Sequence, residues 1–263
     1  MKFSLALSIL SALTVATSSH AAVVTTRMDI HFDGSLSGST YTRSGSDALS
    51  TGTFSANGTP TVSGGFAKLD GSAQTDANAD GFRYATALTL PSTSFFVEVS
   101  FRMDDLLLPG NTHDNIVSIG AANELRYNGG AFQFAYDAGG TGSINLSSVA
   151  PTVGQNREFG ILWDTTAKQF SVWENSALIA SYNAGTNFNQ YGSANSIGFG
   201  FFDLNTFTGR GSNSTFNRVS FSTFTGSFNH NDFVFVPEPS TSMLCLSSLG
   251  FLFLRKRKSH SEA

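Results

Sequence analysis

Polar and apolar residues alternate along most of the chain. In "SFFVEVSFRMD" Phe95, Val97, Val99, Phe101 and Met103 fall on one side of an extended backbone, and Glu98, Ser100 and Arg102 on the other. "AFQFAYD" repeats the pattern with Phe132, Phe134 and Tyr136, "REFGILWD" with Phe159, Ile161 and Trp163, and "NSIGFGFF" with Ile197, Phe199 and Phe201. A period of two, carried by aromatic and β-branched residues, predicts half-buried strands. Turn chemistry separates the runs: Asp164 to Lys168 in "WDTTAKQF", Glu174-Asn175-Ser176 in "WENSAL", and glycine turns in "YNGGAF" and "YDAGGTGS". An asparagine at such a turn tolerates left-handed backbone. No window carries a helical period. About a dozen short strands at this spacing predict an all-β fold, an antiparallel β-sandwich of two sheets. Residues 34–65 are loop-rich and are expected to hold a lid or an edge hairpin.

Composition sharpens this picture. Only 13% of residues are charged, aromatics are another 13%, and 25 are Phe, so packing must come from rings. Setting aside Lys2, Arg255 to Lys258, Glu238 and Glu262 leaves 10 basic against 17 acidic residues. An acidic domain without a basic stripe speaks against nucleic acid as a partner. The single cysteine, Cys245, lies near the C-terminus, so the expected domain, residues 22–235, has neither a disulfide nor a thiol.

The two ends have a different texture. Residues 1–21 show Lys2, an apolar run from Phe3 to about Val15, and small residues at Ser19 and Ala21, the layout of a signal peptide cleaved after Ala21. At the other end Val236-Pro237-Glu238-Pro239-Ser240 precedes Met243 to Leu254, apolar except for Ser247 and Ser248, and then Arg255, Lys256, Arg257 and Lys258. Even Pro239 to Leu254 as a helix reaches only roughly 24 Å at about 1.5 Å per residue, against a hydrocarbon core of about 30 Å. It is a marginal span that needs its basic residues to snorkel. Clustered positive charge stays on the cytoplasmic side, which leaves the body of the chain outside.

This tail, residues 236–263, resembles the PEP-CTERM sorting signal of Gram-negative bacteria. The resemblance implies that exosortase, a membrane-embedded cysteine protease, cuts near Pro237-Glu238-Pro239 after transient inner-membrane association. It also implies a destination at the cell surface or in the extracellular matrix, among extracellular polysaccharide. The body itself is similar, in the order of its segments, to laminin-G-like and concanavalin A-like jelly rolls. That similarity is carried by "FDGS" at Phe32 to Ser35, "FAKLDGSAQT" at Phe66 to Thr75, "LTLPSTSFFVEVSFRM" and "REFGILWDTTAKQFSVWENSALIASY", where Asn175-Ser176 stand in place of an expected Asp-Gly.

Candidate chemistry is sparse. Asp76, Asn78 and Asp80 alternate ahead of Gly81 in "DANADG", like the first half of a calcium loop. The twelfth position is Ala87, without the bidentate acid, and the alternative is a solvated Asp/Asn turn. Calcium is therefore a possible cofactor. A glycosidase would need two carboxylates flanking a scissile bond; Glu98, Asp104 and Asp105 do not have that spacing, so no catalytic residue is assigned. His31, His113 and His230 show no metal-ligand pairing. Trp163 shares a face with Phe159 and Ile161 and is expected in the core, whereas Trp173 falls on the outward side and is the candidate for stacking against a sugar. The sequence thus predicts an exported, exosortase-processed glycan-binding or structural sandwich, the alternative being a polysaccharide-degrading enzyme on the same fold.

Overall fold

The computed structural model describes residues 22–70, 80–85, 93–106, 114–120, 123–128, 130–136, 142–146, 151–183, 196–200 and 211–230. Seventeen strands are found among them. The first six are β1 (Val23–Ile30), β2 (Ser35–Ser37), β3 (Thr40–Thr42), β4 (Thr53–Asn57), β5 (Thr61–Ser63) and β6 (Phe66–Leu69). The middle of the chain gives β7 (Gly81–Ala85), β8 (Phe95–Met103), β9 (Asp114–Ile119), β10 (Asn123–Asn128), β11 (Ala131–Tyr136) and β12 (Gly142–Asn145). Then follow β13 (Asn156–Asp164), β14 (Gln169–Glu174), β15 (Ala177–Asn183), β16 (Ser196–Phe199) and β17 (Ser214–Thr225). A short 3-10 helix, Gly45–Leu49, lies between β3 and β4.

The strands form the expected two antiparallel sheets. One runs β15-β14-β13-β8-β17-β6-β5, with β1 also on β17; the other runs β12-β11-β10-β9-β16-β7-β4-β3-β2. β17 is the spine of the first sheet. β8 lines one side of it, while β6 pairs with its first residues and β1 with its last. The loop-rich stretch 34–65 is more ordered than its composition suggests. It builds β2 to β5, including a β2–β3 hairpin at the edge of the nine-stranded sheet.

The inward faces are those the alternation predicts. Phe95, Val97, Val99, Phe101 and Met103 are buried, as are Phe132, Phe134, Phe159, Ile161, Ile197 and Phe199; Phe201 lies outside the described residues. Phe101 meets Phe132, Phe159 and Phe216 at centroid distances of 5.8, 6.1 and 5.7 Å. Phe54 and Phe82 stack at 5.2 Å, with Phe32 and Tyr41 around them. Each fully buried phenylalanine contributes roughly 1.5–3 kcal/mol by leaving water, so ring packing supplies the cohesion here.

Local devices fix the turns. Asn175 and Ser176 both take left-handed backbone, with φ of 47° and 68°, the primed turn that matches strand twist. Asp164 Oδ1 accepts the amides of Thr166 and Ala167 to shape the preceding turn. In "FDGS", Phe32 also has a positive φ of 58° although its side chain is buried. Asp47, fully buried in the 3-10 helix, explains it. Its carboxylate accepts the amides of His31 and Asp33, on either side of Phe32, and the Tyr41 hydroxyl at 2.5 Å. Burial and this carboxylate push the Tyr41 phenol well up in pKa. The same helix region covers the edge of β1, since Ser50 Oγ both donates to the Asp29 carbonyl and accepts from the Asp29 amide.

Candidate functional site

The sandwich has two seams, where the flank of one sheet meets the flank of the other. At the first seam β5 faces β2. Here Leu36, Gly38 and the run Gly58 to Val62 line a groove of about 390 Å³. Leu36 and Val62 are partly buried and pack on the core, giving an apolar floor. Thr59 and Thr61 bring hydroxyls to the wall. Gly38 and Gly58, with φ of 57° and 70°, keep the turns narrow, and nothing lies within 4 Å of where a Cβ on Gly38 would point.

A buried carboxylate holds one wall in place. Asp80, 4% exposed, accepts the Thr59 amide on Oδ1 at 2.7 Å and the Asp70 amide on Oδ2 at 3.2 Å. Burial raises its pKa, helped by the charge of Asp70 and countered by the two amides. So Asp80 of the candidate calcium triad belongs to the frame of this groove. Its partners Asp76 and Asn78 lie outside the described residues. Among the described residues no cluster of three or more His, Cys, Asp or Glu is arranged to hold a metal ion.

The stacking candidate Trp173 sits on the outward face of the eight-stranded sheet, as its position in the alternation requires. It is not an open platform, however, because the chain beyond β17 folds back over it. After Gly226, which turns with φ of 93°, Phe228 and His230 cross the outer face. His230 stacks on Trp173 at 4.7 Å and meets Phe96 edge-on at 5.7 Å. Phe228 contacts Phe96, Trp173 and Phe224 at 5.2, 5.7 and 5.6 Å. Phe96, Leu162 and Phe224 are buried beneath, and Ala22 and Val24 pack into the same small outer core. Burial lowers the His230 pKa. The sequence hid this strap because Phe228 and His230 belong to no alternating run.

The acids weighed for catalysis are spread out and engaged. Glu98, 1% exposed, accepts the Ser220 hydroxyl at 3.0 Å. Asp104 pairs with Arg102 and accepts the Thr215 hydroxyl, and Asp105 accepts the Leu106 amide. His31 pairs with Asp29, which Arg218 grips with two nitrogens at 2.7 and 2.8 Å. Desolvation raises the Asp29 pKa, but the Arg218 bonds and charge outweigh it and leave the carboxyl lowered. His113 lies outside the described residues. One further polar row, which no motif announces, lies on the outer face of the nine-stranded sheet. There Arg126 bonds Glu124 at 2.6 Å and Gln133 at 3.3 Å, and Asn128 donates to Gln133 at 3.2 Å.

No protein-family model matches the chain, and no curated protein matches it by sequence. Solved structures match in shape. A Trypanosoma rangeli sialidase, solved in complex with a difluorinated nonulosonic acid, superposes with a TM-score of 0.53 at 13% identity, over 74% of this chain and 30% of the sialidase. The receptor-binding domain of a mosaic serotype C/D botulinum neurotoxin gives 0.52 at 12% identity, over 79% and 49% of the two chains. A botulinum neurotoxin type C, described as entering cells through two ganglioside molecules, gives 0.50 at 10%, over 77% and 50%. The likeness is one of fold. The chain spans about 30% of the sialidase and about half of each toxin chain.

Proposed function

We propose that this is an exported β-sandwich that binds extracellular glycan through the groove between β2 and β5, after release from a temporary membrane tether. The observation that carries the reading is the groove itself. It has the volume of a small-ligand site, with an apolar floor for a sugar ring and hydroxyls and backbone at the rim for its oxygens. The fold shared with domains of proteins that handle sialic acid analogues and gangliosides supports the same reading. The resemblance of residues 236–263 to a PEP-CTERM tail supports export, exosortase as the processing partner and an extracellular matrix setting.

Affinity electrophoresis against neutral and acidic polysaccharides, with and without EDTA, tests the function. The protein is expected to be retarded by at least one polymer, and Thr61→Trp, which fills the groove, is expected to reduce that retardation at least tenfold in affinity. Retardation unaffected by Thr61→Trp places the site elsewhere, and no retardation on any polymer leaves a purely structural role. A loss of retardation on chelation makes binding dependent on a divalent cation and keeps the loop of Asp76, Asn78 and Asp80 as its candidate seat, whereas identical retardation makes them a turn. Release of reducing sugar from a retained polymer would instead favour the polysaccharide-degrading enzyme.

A further inference from the structure

The second seam is closed by tyrosine. Tyr136 comes from β11 of the nine-stranded sheet and Tyr182 from β15, the edge of the eight-stranded sheet. Their ring centroids stand 4.2 Å apart with planes inclined by 31°. Phe170 backs both, at 5.2 and 5.0 Å, and Phe134 and Trp163 back Phe170 in turn. The pair is thus held face to face from behind and half-open in front. Three other described tyrosines, Tyr41, Tyr84 and Tyr127, are buried. Burial pushes the Tyr136 phenol up in pKa, as does the Tyr182 phenol hydrogen-bonded beside it.

We propose that Tyr136 and Tyr182 are an oxidative cross-linking site, at which a dityrosine bond joins the two sheets. Hydrogen peroxide acting through a one-electron-oxidising haem peroxidase is the class of oxidant required. Each phenol gives up one electron and one proton, and the two phenoxyl radicals couple between ring carbons ortho to the oxygens. The two hydrogens displaced from those carbons return to the oxygens and restore both phenols. The two electrons and two protons removed reduce one peroxide to two waters. Ring stacking at 4.2 Å brings the coupling partners together before oxidation, so the reaction is intramolecular and favoured over joining two chains. The sequence makes such a bond useful. Cys245 is the chain's only cysteine, so no disulfide can tie the sandwich together. A covalent link at this seam closes a long loop between the sheets and restrains the unfolded chain as a disulfide would.

The test treats the full chain, in mild detergent, with horseradish peroxidase and hydrogen peroxide, with N-acetyltyrosine oxidised in parallel as a control. Blue dityrosine fluorescence is expected at the monomer position on a denaturing gel, with one linked peptide pair joining residues 136 and 182. Tyr136→Phe and Tyr182→Phe keep the stacked rings and are each expected to lose at least nine-tenths of that signal. The linked protein is expected to melt several degrees higher than the untreated one. Failure of the protein to couple while N-acetyltyrosine does, coupling only between chains, or a link that survives both substitutions would overturn the assignment. Glycan retention plays no part in this readout, so the result is independent of the groove.

Discussion

At the scale of single residues, Gly160 shows how closely the outer layer is fitted. A Cβ there would stand 2.3 Å from Cζ of Phe96, whose ring lies across β13. Phe96 cannot withdraw, because it is buried with Phe228 and His230 packed on it. Gly160→Ala is therefore expected to cost about 1–3 kcal/mol by overpacking, read from urea unfolding. The penalty should shrink in a Phe96→Leu background, since the two sites share one contact. His230 supplies a second residue-level expectation. Undocked, its imidazole titrates near about 6.5; docked on Trp173 it is held lower because burial disfavours the charge. Docking of the strap is thus strongest above that pH and weakens as the pH falls through it. Acidification from about pH 7.5 to 5 should change Trp173 fluorescence before the fold is lost, and His230→Phe should flatten that response.

At the scale of elements, the strands were readable and their company was not. The inward faces of β8, β11, β13 and β16 follow from period two alone, and Asn175 announced the tight turn between β14 and β15. Alternation says only which side of a strand a residue occupies. Trp173 was correctly placed on the outer side, but whether that side meets water depends on Phe228 and His230, which arrive from 55 to 57 positions later in the sequence. The groove was illegible for the same reason. Leu36 and Val62 are separated along the chain and meet only because β2 and β5 are the facing edges of different sheets. Asp80 stands out in the sequence for its Asp/Asn spacing, and only the fold shows its carboxylate receiving the amides of Thr59 and Asp70 at the wall of the groove. Tyr136 and Tyr182 each looked like an ordinary strand residue until the seam paired them.

At the scale of the whole molecule, both ends of the described domain converge. Ala22 and Val24 share the small outer core with Phe228, on the outer face of the eight-stranded sheet. If residues 236–263 are a tether, it therefore departs from that face, about six residues beyond His230, and the spacer can stretch no further than roughly 22 Å. In a host carrying an exosortase, the mature protein is expected to lack Arg255, Lys256, Arg257 and Lys258, as intact-mass measurement would reveal. Replacing Pro237, Glu238 and Pro239 by alanine should leave the basic end attached. Recovery of the full tail from the unaltered protein in such a host would refute the sorting assignment.

The position of β17 also bears on the order of events during synthesis. This last described strand lies inside its sheet, between β8 on one flank and β6 with β1 on the other. Three earlier strands consequently wait with exposed edges until residues 214–225 emerge, a situation that slows closure and invites mispairing between neighbouring chains. A nascent molecule cut short before Ser214 would have every β-hairpin of its nine-stranded sheet and still no keystone, so completion of this fold is decided by the final tenth or so of the body to leave the ribosome.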